Sequence, residues 1–336
     1  MKKTLILFSA VCLLAGCYDD YVRDYDYSAV FSAYQYDLRT FVYGEEDLEL
    51  GFTAALGGVL ENTRDRSVNV EIDNSLLTAD LSTFDEKGET PSFTALDGLC
   101  GKGGLGTISQ SYVSNELSAA GLTALTPLPE SYYTTTDYSD FKIRKGFFTA
   151  ELNLTPTEAL MKDPKAVKPY YALAFHILTA DADKVPAPMS FQIMAIKVEN
   201  TCYGNWYHGG RCVVGDKEEY NYEIVIPQAD SKVYTLTTEA YNVVTTNKMG
   251  DGSGSLRLTF NEDNTIKVED AKGKYDIKPI DGVPSWFNGA KMIQDREIHL
   301  NYWYIDDAGN KVTVNDYLEF RDRTRDGVRE WQSENQ

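Results

Sequence analysis

Hydrophobic residues recur at every second position along most of this chain. Leu48, Leu50, Phe52 and Ala54 fall on one side of an extended segment, and Val68, Val70 and Ile72 repeat the pattern. The same alternation runs through 147–154, 170–179 and 190–198, where Tyr171, Leu173, Phe175 and Ile177 share a face. Period two in β-branched and aromatic residues predicts strands with one buried side. Only Thr155-Pro156-Thr157-Glu158 reads as a helix start, with an N-cap, a proline at the first helical position and an acid in the first turn. Residues 85–130 break the alternation. Rich in Gly, Ser and Thr and ending near Pro127 and Pro129, they predict a long loop insertion with one short helix near 114–121.

From about residue 200 the apolar runs shorten and turns come closer together. Strands are predicted over 220–226, 232–238, 241–246, 255–260, 265–269, 273–278, 296–305 and 311–320, with turn residues at 251–255, 261–264 and 306–310. Short strands at this spacing, almost without helix, predict a meander that closes into a barrel. The fold expected is therefore mainly β: a β-sandwich over 28–199 and a barrel over 200–336, of which 321–336 is a polar tail.

The first residues follow a different rule. Lys2 and Lys3 precede a mostly apolar stretch from Thr4 to Leu14, and small Ala15 and Gly16 lead into Cys17. This is the layout of a secretory signal, and the apolar run is too short to span a membrane as a helix. Leu14-Ala15-Gly16-Cys17 resembles a bacterial lipobox, which implies removal of residues 1–16 and acylation of the Cys17 thiol, as with palmitate. Each buried methylene of an acyl chain contributes about 0.8 kcal/mol to membrane attachment. Tyr18-Asp19-Asp20 resembles the acidic export signal of surface lipoproteins in the Bacteroides group, so 17–27 is expected to be a tether on the outer face of an outer membrane.

Composition narrows the partners. A hydrophobic content of 43% with 23 tyrosines excludes a disordered chain. The net charge of −19 becomes −21 once Lys2 and Lys3 leave, and without a basic patch nucleic acid is excluded as a partner. Beyond Cys12 and Cys17 the chain holds Cys100, Cys202 and Cys212. Cys202 and Cys212 lie ten positions apart around a Gly-rich segment, where an oxidising compartment permits a disulfide; two buried thiols are the alternative. No spacing suits zinc.

Gly204-Asn205-Trp206 is similar to the Gly-x-Trp that opens the first strand of lipocalins, where the tryptophan plugs the closed end of an up-and-down barrel. With the Leu-Ala-Gly-Cys start, Pro129-Glu130-Ser131-Tyr132-Tyr133, the paired strands 170–198 and Asn301-Tyr302-Trp303-Tyr304, the whole chain resembles Bacteroides surface lipoproteins of unknown function. The resemblance implies an N-terminal β-sandwich and a lipocalin-like C-terminal domain. Such proteins often lie beside polysaccharide-uptake genes, which implies glycan capture and an outer-membrane transporter complex as a partner. It carries over no catalytic residue.

Nothing in the chain spells an enzyme. Gly101 to Gly106 fits G-x-G-x-x-G but lacks the strand before and helix after that a dinucleotide requires, so no cofactor is expected. The three histidines, His176, His208 and His299, match no metalloprotease or nucleophile-elbow motif. His176 lies opposite an apolar strand face, and His299 shares a face with Asn301 and Trp303. Acidic turns such as Asp181 to Asp183 do not follow a calcium loop, and no metal is expected. Glycoside hydrolysis, which needs two spaced carboxylates, is the enzyme alternative. The best ligand-binding candidate is Val283 to Gly289, a loop offering Trp286, Phe287 and Asn288, joined by His299, Asn301 and Trp303. A sugar ring packs its C–H face on a flat aromatic ring while amides bond its hydroxyls. The rival readings are a carrier holding an apolar molecule inside the barrel, and an adhesive or structural surface protein.

Overall fold

The computed structural model describes residues 25–45, 48–78, 115–122, 124–215, 218–222, 224 and 232–323. Residues 1–24 with the expected signal and Cys17, and also Cys100, the glycine motif, Trp331 and most of the expected 85–130 insertion, lie outside them. The chain divides into two compact units: residues up to Phe41 with Leu48–Leu160 and Lys168–Lys197, and Val42–Asp47 with Met161–Val167 and the chain from Val198 onward.

The first unit is a β-sandwich. Its strands are β1 (Ala29–Ser32), β2 (Tyr36–Val42), β3 (Leu50–Gly57), β4 (Arg66–Ile72), β5 (Thr126–Pro127), β6 (Tyr133–Thr135), β7 (Lys142–Ile143), β8 (Thr149–Pro156), β9 (Tyr171–Ala180) and β10 (Phe191–Glu199). One sheet has the order β1-β3-β8-β6; the other has β2-β10-β9-β4-β7, with β5 parallel to β9. Leu50, Phe52, Ala54 and Leu56 alternate with half-buried residues along β3, and Phe52 stacks on Phe175 of the facing sheet at 5.0 Å. Period two here marks the inner layer of a sandwich.

β9 breaks the alternation because both its faces are covered. Ala172 and Ala174 are as buried as Leu173 and Phe175. They pack beneath Tyr36, Leu76, Leu77, Leu117 and Leu125, part of a second apolar cluster. Leu76 and Leu77 come from the helical turn Asn74–Thr78, and Leu117 from a helix at 115–119, where the short helix of the insertion is expected. The face opposite the apolar one, where His176 was expected to meet solvent, is therefore largely roofed. The capped helix start yields a single turn, Glu158–Met161.

The second unit contains β11 (Gly204–Val214), β12 (Glu218–Tyr222), β13 (Lys232–Ala240), β14 (Val243–Met249), β15 (Gly252–Phe260), β16 (Ile266–Asp270), β17 (Lys278–Pro279), β18 (Trp286–Phe287), β19 (Glu297–Ile305) and β20 (Lys311–Asp322). Antiparallel pairing runs β16-β15-β14-β13-β11-β20-β19, and β17, β18 and β12 pair off it. A single bridge, Thr265 to Trp286, joins the β16 side to β18. There Ile266 N–H donates to Ser285 O and Phe287 N–H to Asn264 O, each at 2.9 Å. The result is a nearly closed, lipocalin-like up-and-down barrel.

Its interior is filled by side chains. Trp206, Tyr234, Leu236, Leu258, Leu300, Tyr302 and Leu318 are each at most 2% exposed. Trp206 sits edge-on to Phe320 at 5.3 Å and donates its indole N–H to Cys202 O at 3.0 Å. Gly204 permits this plug: its φ is +125°, and a Cβ there would lie 2.7 Å from the Asp322 carbonyl oxygen. Nearby, buried Arg296 donates to the carbonyls of Ala290, Thr201 and Lys291.

Three local expectations are corrected or narrowed. Residues 273–278 do not extend as a strand, because the Asp270 carboxylate accepts the N–H groups of Lys272, Lys274 and Tyr275 and wraps the chain into a turn. Periodicity alone predicts no strand over β11, because Gly209 and Gly210 hide the alternation of Trp206, His208 and Cys212; only the likeness at Gly204-Asn205-Trp206 implies a strand opening there, where β11 starts. Of the two states left open for Cys202 and Cys212, the structure has free, buried thiols and not the disulfide. β11 is the reason: at about 3.3 Å per residue it carries Cys212 roughly 26 Å beyond Gly204, whereas a bridge needs Cα atoms within about 7 Å. Burial pushes the Cys202 thiol up to about 12, and burial with the Asp316 charge raises Cys212. Peptide mapping of native, alkylated protein should therefore find both cysteines unlabelled and unlinked; a Cys202–Cys212 cross-linked peptide would contradict the register of β11.

Candidate functional site

Alternation along β19 and β20 sends one set of side chains inward and the other onto the outer barrel wall. Ile298, Leu300 and Tyr302 point in, whereas Glu297, His299, Asn301 and Trp303 line the outer face. Across the ladder His299 faces Tyr317, Asn301 faces Asn315, and Glu297 faces Glu319. On the other side of β19, Trp286 of β18 pairs with His299. Three rings thus lie in a row across three strands. Trp286 stacks on His299 at 4.1 Å with 9° between planes, and His299 meets Tyr317 at 4.9 Å and 51°. Trp286 remains 37% exposed, with one ring face spent on the imidazole.

The amides expected to meet a ligand do something else: they hold the strand that presents Trp286. Asn301 donates its side-chain N–H to Pro284 O at 2.8 Å, and its backbone N–H to Ser285 Oγ at 2.7 Å. Asn315 in turn donates to Asn301 Oδ1 at 2.7 Å. On the far side, Asn288 donates to Asp295 O at 2.7 Å and accepts the N–H groups of Ala290 and Glu297. Asn301 and Asn288 therefore clamp β18 from its two ends.

Phe287 is not exposed beside Trp286. It is 8% exposed, points into the barrel core and sits edge-on to Phe260 at 6.0 Å. Because 286–287 is a strand and not a loop, neighbouring side chains take opposite faces. Trp303 is half-buried, with Lys311 Nζ 4.5 Å from its ring centroid. The structure thus brings Trp286, His299, Asn301 and Trp303 onto one face and turns Phe287 away. Sequence reasoning missed Tyr317, Glu319 and Glu297. Tyr317 stands opposite His299 only through the β19–β20 register, although its place in an alternating strand was visible.

The face is acidic. The Tyr317 hydroxyl donates to Glu319 Oε1 at 2.9 Å, and His299 Nε2 lies 3.6 Å from Glu297 Oε2. Burial first, then the hydrogen bond and charge of Glu319 and the charge of Glu297, hold the Tyr317 hydroxyl well above its ordinary pKa. It stays a protonated donor. The arrangement offers a flat ring for stacking, with carboxylates positioned to accept hydroxyl protons, and repels anions.

Two concave regions also belong to the second unit. A cleft of about 430 Å³ is lined by Tyr43, Tyr241, Asn242, Phe260, Glu262 and Phe287 among others. Its Tyr43 and Tyr241 rings meet edge-to-face at 5.0 Å. A wider depression of about 940 Å³ is lined by Thr235, Thr237, Thr245 and Thr246 with no aromatic ring, so it offers hydroxyls but no stacking surface. Among the described residues one group has metal-ligand chemistry, Glu71, Asp73 and His176 in the first unit.

Fold and face together define a two-unit β protein whose terminal barrel is packed inside and bears its chemistry outside. No family profile matches the chain, and no curated protein does. Its structural neighbours are Bacteroides proteins. One of unknown function from Bacteroides ovatus superposes with a TM-score of 0.61 at 19% identity, covering 91% of this chain and all of that one. A second Bacteroides ovatus protein of unknown function has a TM-score of 0.44 at 11% identity over 91% of this chain and all of its own. An auxiliary nutrient binding protein from Bacteroides thetaiotaomicron has a TM-score of 0.38 at 11% identity, covering 84% of this chain and 89% of its own. The first of these shares the fold.

Proposed function

We propose that this chain is a surface lipoprotein that captures neutral glycans without turning them over, held to an outer membrane by acylated Cys17. The observation that carries the reading is Trp286: an exposed indole, fixed on one face by His299 and clamped by Asn288 and Asn301. A ring held rigid before binding loses little freedom on contact, so its stacking energy goes into affinity. The leader sequence supports an extracellular setting, in which capture for an outer-membrane transporter complex is the natural role. The filled interior weighs against a carrier of apolar molecules.

Isothermal titration of the mature protein against neutral and anionic polysaccharides tests this. Binding is expected for a neutral glycan and not for a uronate-rich or sulfated one, because Glu297 and Glu319 face each other on the same wall. Trp286→Ala should weaken it tenfold or more, about 1.4 kcal/mol, with a melting temperature lowered by only a few degrees, since the Phe287 backbone bond and the Asn288 and Asn301 side-chain bonds that hold β18 remain. Failure to bind any glycan ends the reading. Full affinity in Trp286→Ala moves the site to the Tyr241 cleft.

A further inference from the structure

We propose that Glu71, Asp73 and His176 of the first unit form a binding site for a divalent transition cation of the zinc class. The three come from separate places that the sheet brings together. β4 pairs with β9 so that Glu71 stands directly opposite His176. Asp73 follows the end of β4, where the chain turns into the helical turn Asn74–Thr78. One ligand atom from each residue lies within 4.8 Å of the other two.

The geometry of His176 is what a hydrogen bond leaves unexplained. Its Nδ1 is buried and has no hydrogen-bond partner. Asp73 Oδ2 lies 3.7 Å from it, too long for a hydrogen bond. Two ligands bound at about 2.1 Å to one ion, and separated by that distance, subtend about 120° at the metal, close to the tetrahedral angle zinc prefers. The carboxylate is already oriented: Asp73 Oδ1 accepts the backbone N–H of Ser75 at 3.1 Å and its hydroxyl at 2.5 Å, leaving Oδ2 turned to His176. Such an outer partner is what fixes a metal-binding carboxylate. Glu71 is exposed, so its side chain is free to swing from within 4.8 Å of the other two ligand atoms to the roughly 3.4 Å that tetrahedral ligands of one ion keep.

The donor set selects the ion. One imidazole and two carboxylates suit zinc or a neighbouring first-row ion, whereas calcium and magnesium take oxygen ligands. Three protein ligands leave a fourth position open to solvent. The site would tie the end of β4 to β9.

The test is zinc titration of the EDTA-dialysed mature chain by calorimetry, with thermal unfolding alongside. One equivalent is expected to bind and to raise the melting temperature. Glu71→Gln changes an exposed side chain and should keep the fold while losing tenfold or more in zinc affinity. His176→Ala should lose binding, and His299→Ala, which alters the histidine beside Trp286, should keep it. Absence of zinc binding in the unmodified chain overturns the proposal. So does undiminished affinity in Glu71→Gln or His176→Ala, or a loss that follows His299 instead.

Discussion

Trp206→Ala is expected to cost about 3–5 kcal/mol, the range for deleting a fully buried large aromatic. Three contacts go at once: the indole surface in the barrel core, the edge-on packing against Phe320 at 5.3 Å, and the N–H bond to Cys202 O. The last leaves a buried carbonyl without that donor, which adds to the cavity cost. A whole domain has about 5–15 kcal/mol of stability, so the transition that unfolds the barrel in a calorimetric scan should fall by on the order of 10–20 °C. A fall of only a few degrees would mean that Trp206 is not the plug of this barrel.

A comparable loss is expected from Asp316→Leu, for an electrostatic reason. The Asp316 carboxylate is buried in the barrel, 2.9 Å from His208 Nε2 and 3.3 Å from the Tyr234 hydroxyl. The His208 ring lies on Tyr234 at 4.1 Å, and the Tyr302 hydroxyl accepts the Gly250 N–H at 2.9 Å beside it. Removing one member of a buried polar pair strands the other in a medium that cannot solvate it, at about 3–5 kcal/mol. Replacing both partners removes the desolvation cost as well. His208→Leu combined with Asp316→Leu should therefore recover a large part of the loss seen in Asp316→Leu alone. Denaturant titration of the two single variants and the double variant measures this coupling. Additive losses would show that the two side chains stabilise the barrel independently.

Much of the fold was legible because period two is a local signal. Leu50, Phe52 and Ala54 announced β3, and 296–305 and 311–320 announced β19 and β20 almost to their ends. The lipocalin likeness at Gly204-Asn205-Trp206 pointed to a plugged barrel, and Trp206 is fully buried in its core. Where two faces are buried, or where glycines and a histidine interrupt the pattern, the signal failed. β9 looks one-sided because alanines at 172 and 174 do not read as a core, and in β11 only the likeness at Gly204-Asn205-Trp206 marks a strand that Gly209 and Gly210 otherwise hide. The helix that supplies Leu117 was visible only as a short possibility in a stretch rich in Gly and Ser.

The candidate site divided in the same way. Trp286, His299, Asn301 and Trp303 could be gathered by spacing and loop chemistry, yet their roles could not. Whether Phe287 stands beside Trp286 or behind it depends on 286–287 being a strand, and that depends on the pairing with 298–299. Asn288 and Asn301 offer amides to any reading of the sequence, and only the hydrogen bonds show them holding β18.

By itself, the chain determined what each segment tends to be: which residues alternate, where turns fall, which charges dominate, and a start that resembles an export signal. Those properties depend on neighbours within a few positions. Tertiary structure alone decided what meets what. The closing bridge at Thr265 and Trp286, the row of rings ending on Tyr317, the meeting of Glu71 with His176 and the separation of Cys202 from Cys212 all follow from strand register. A shift of one residue in register would turn every one of those side chains to the opposite face, and register is fixed by the whole sheet packing its apolar side at once.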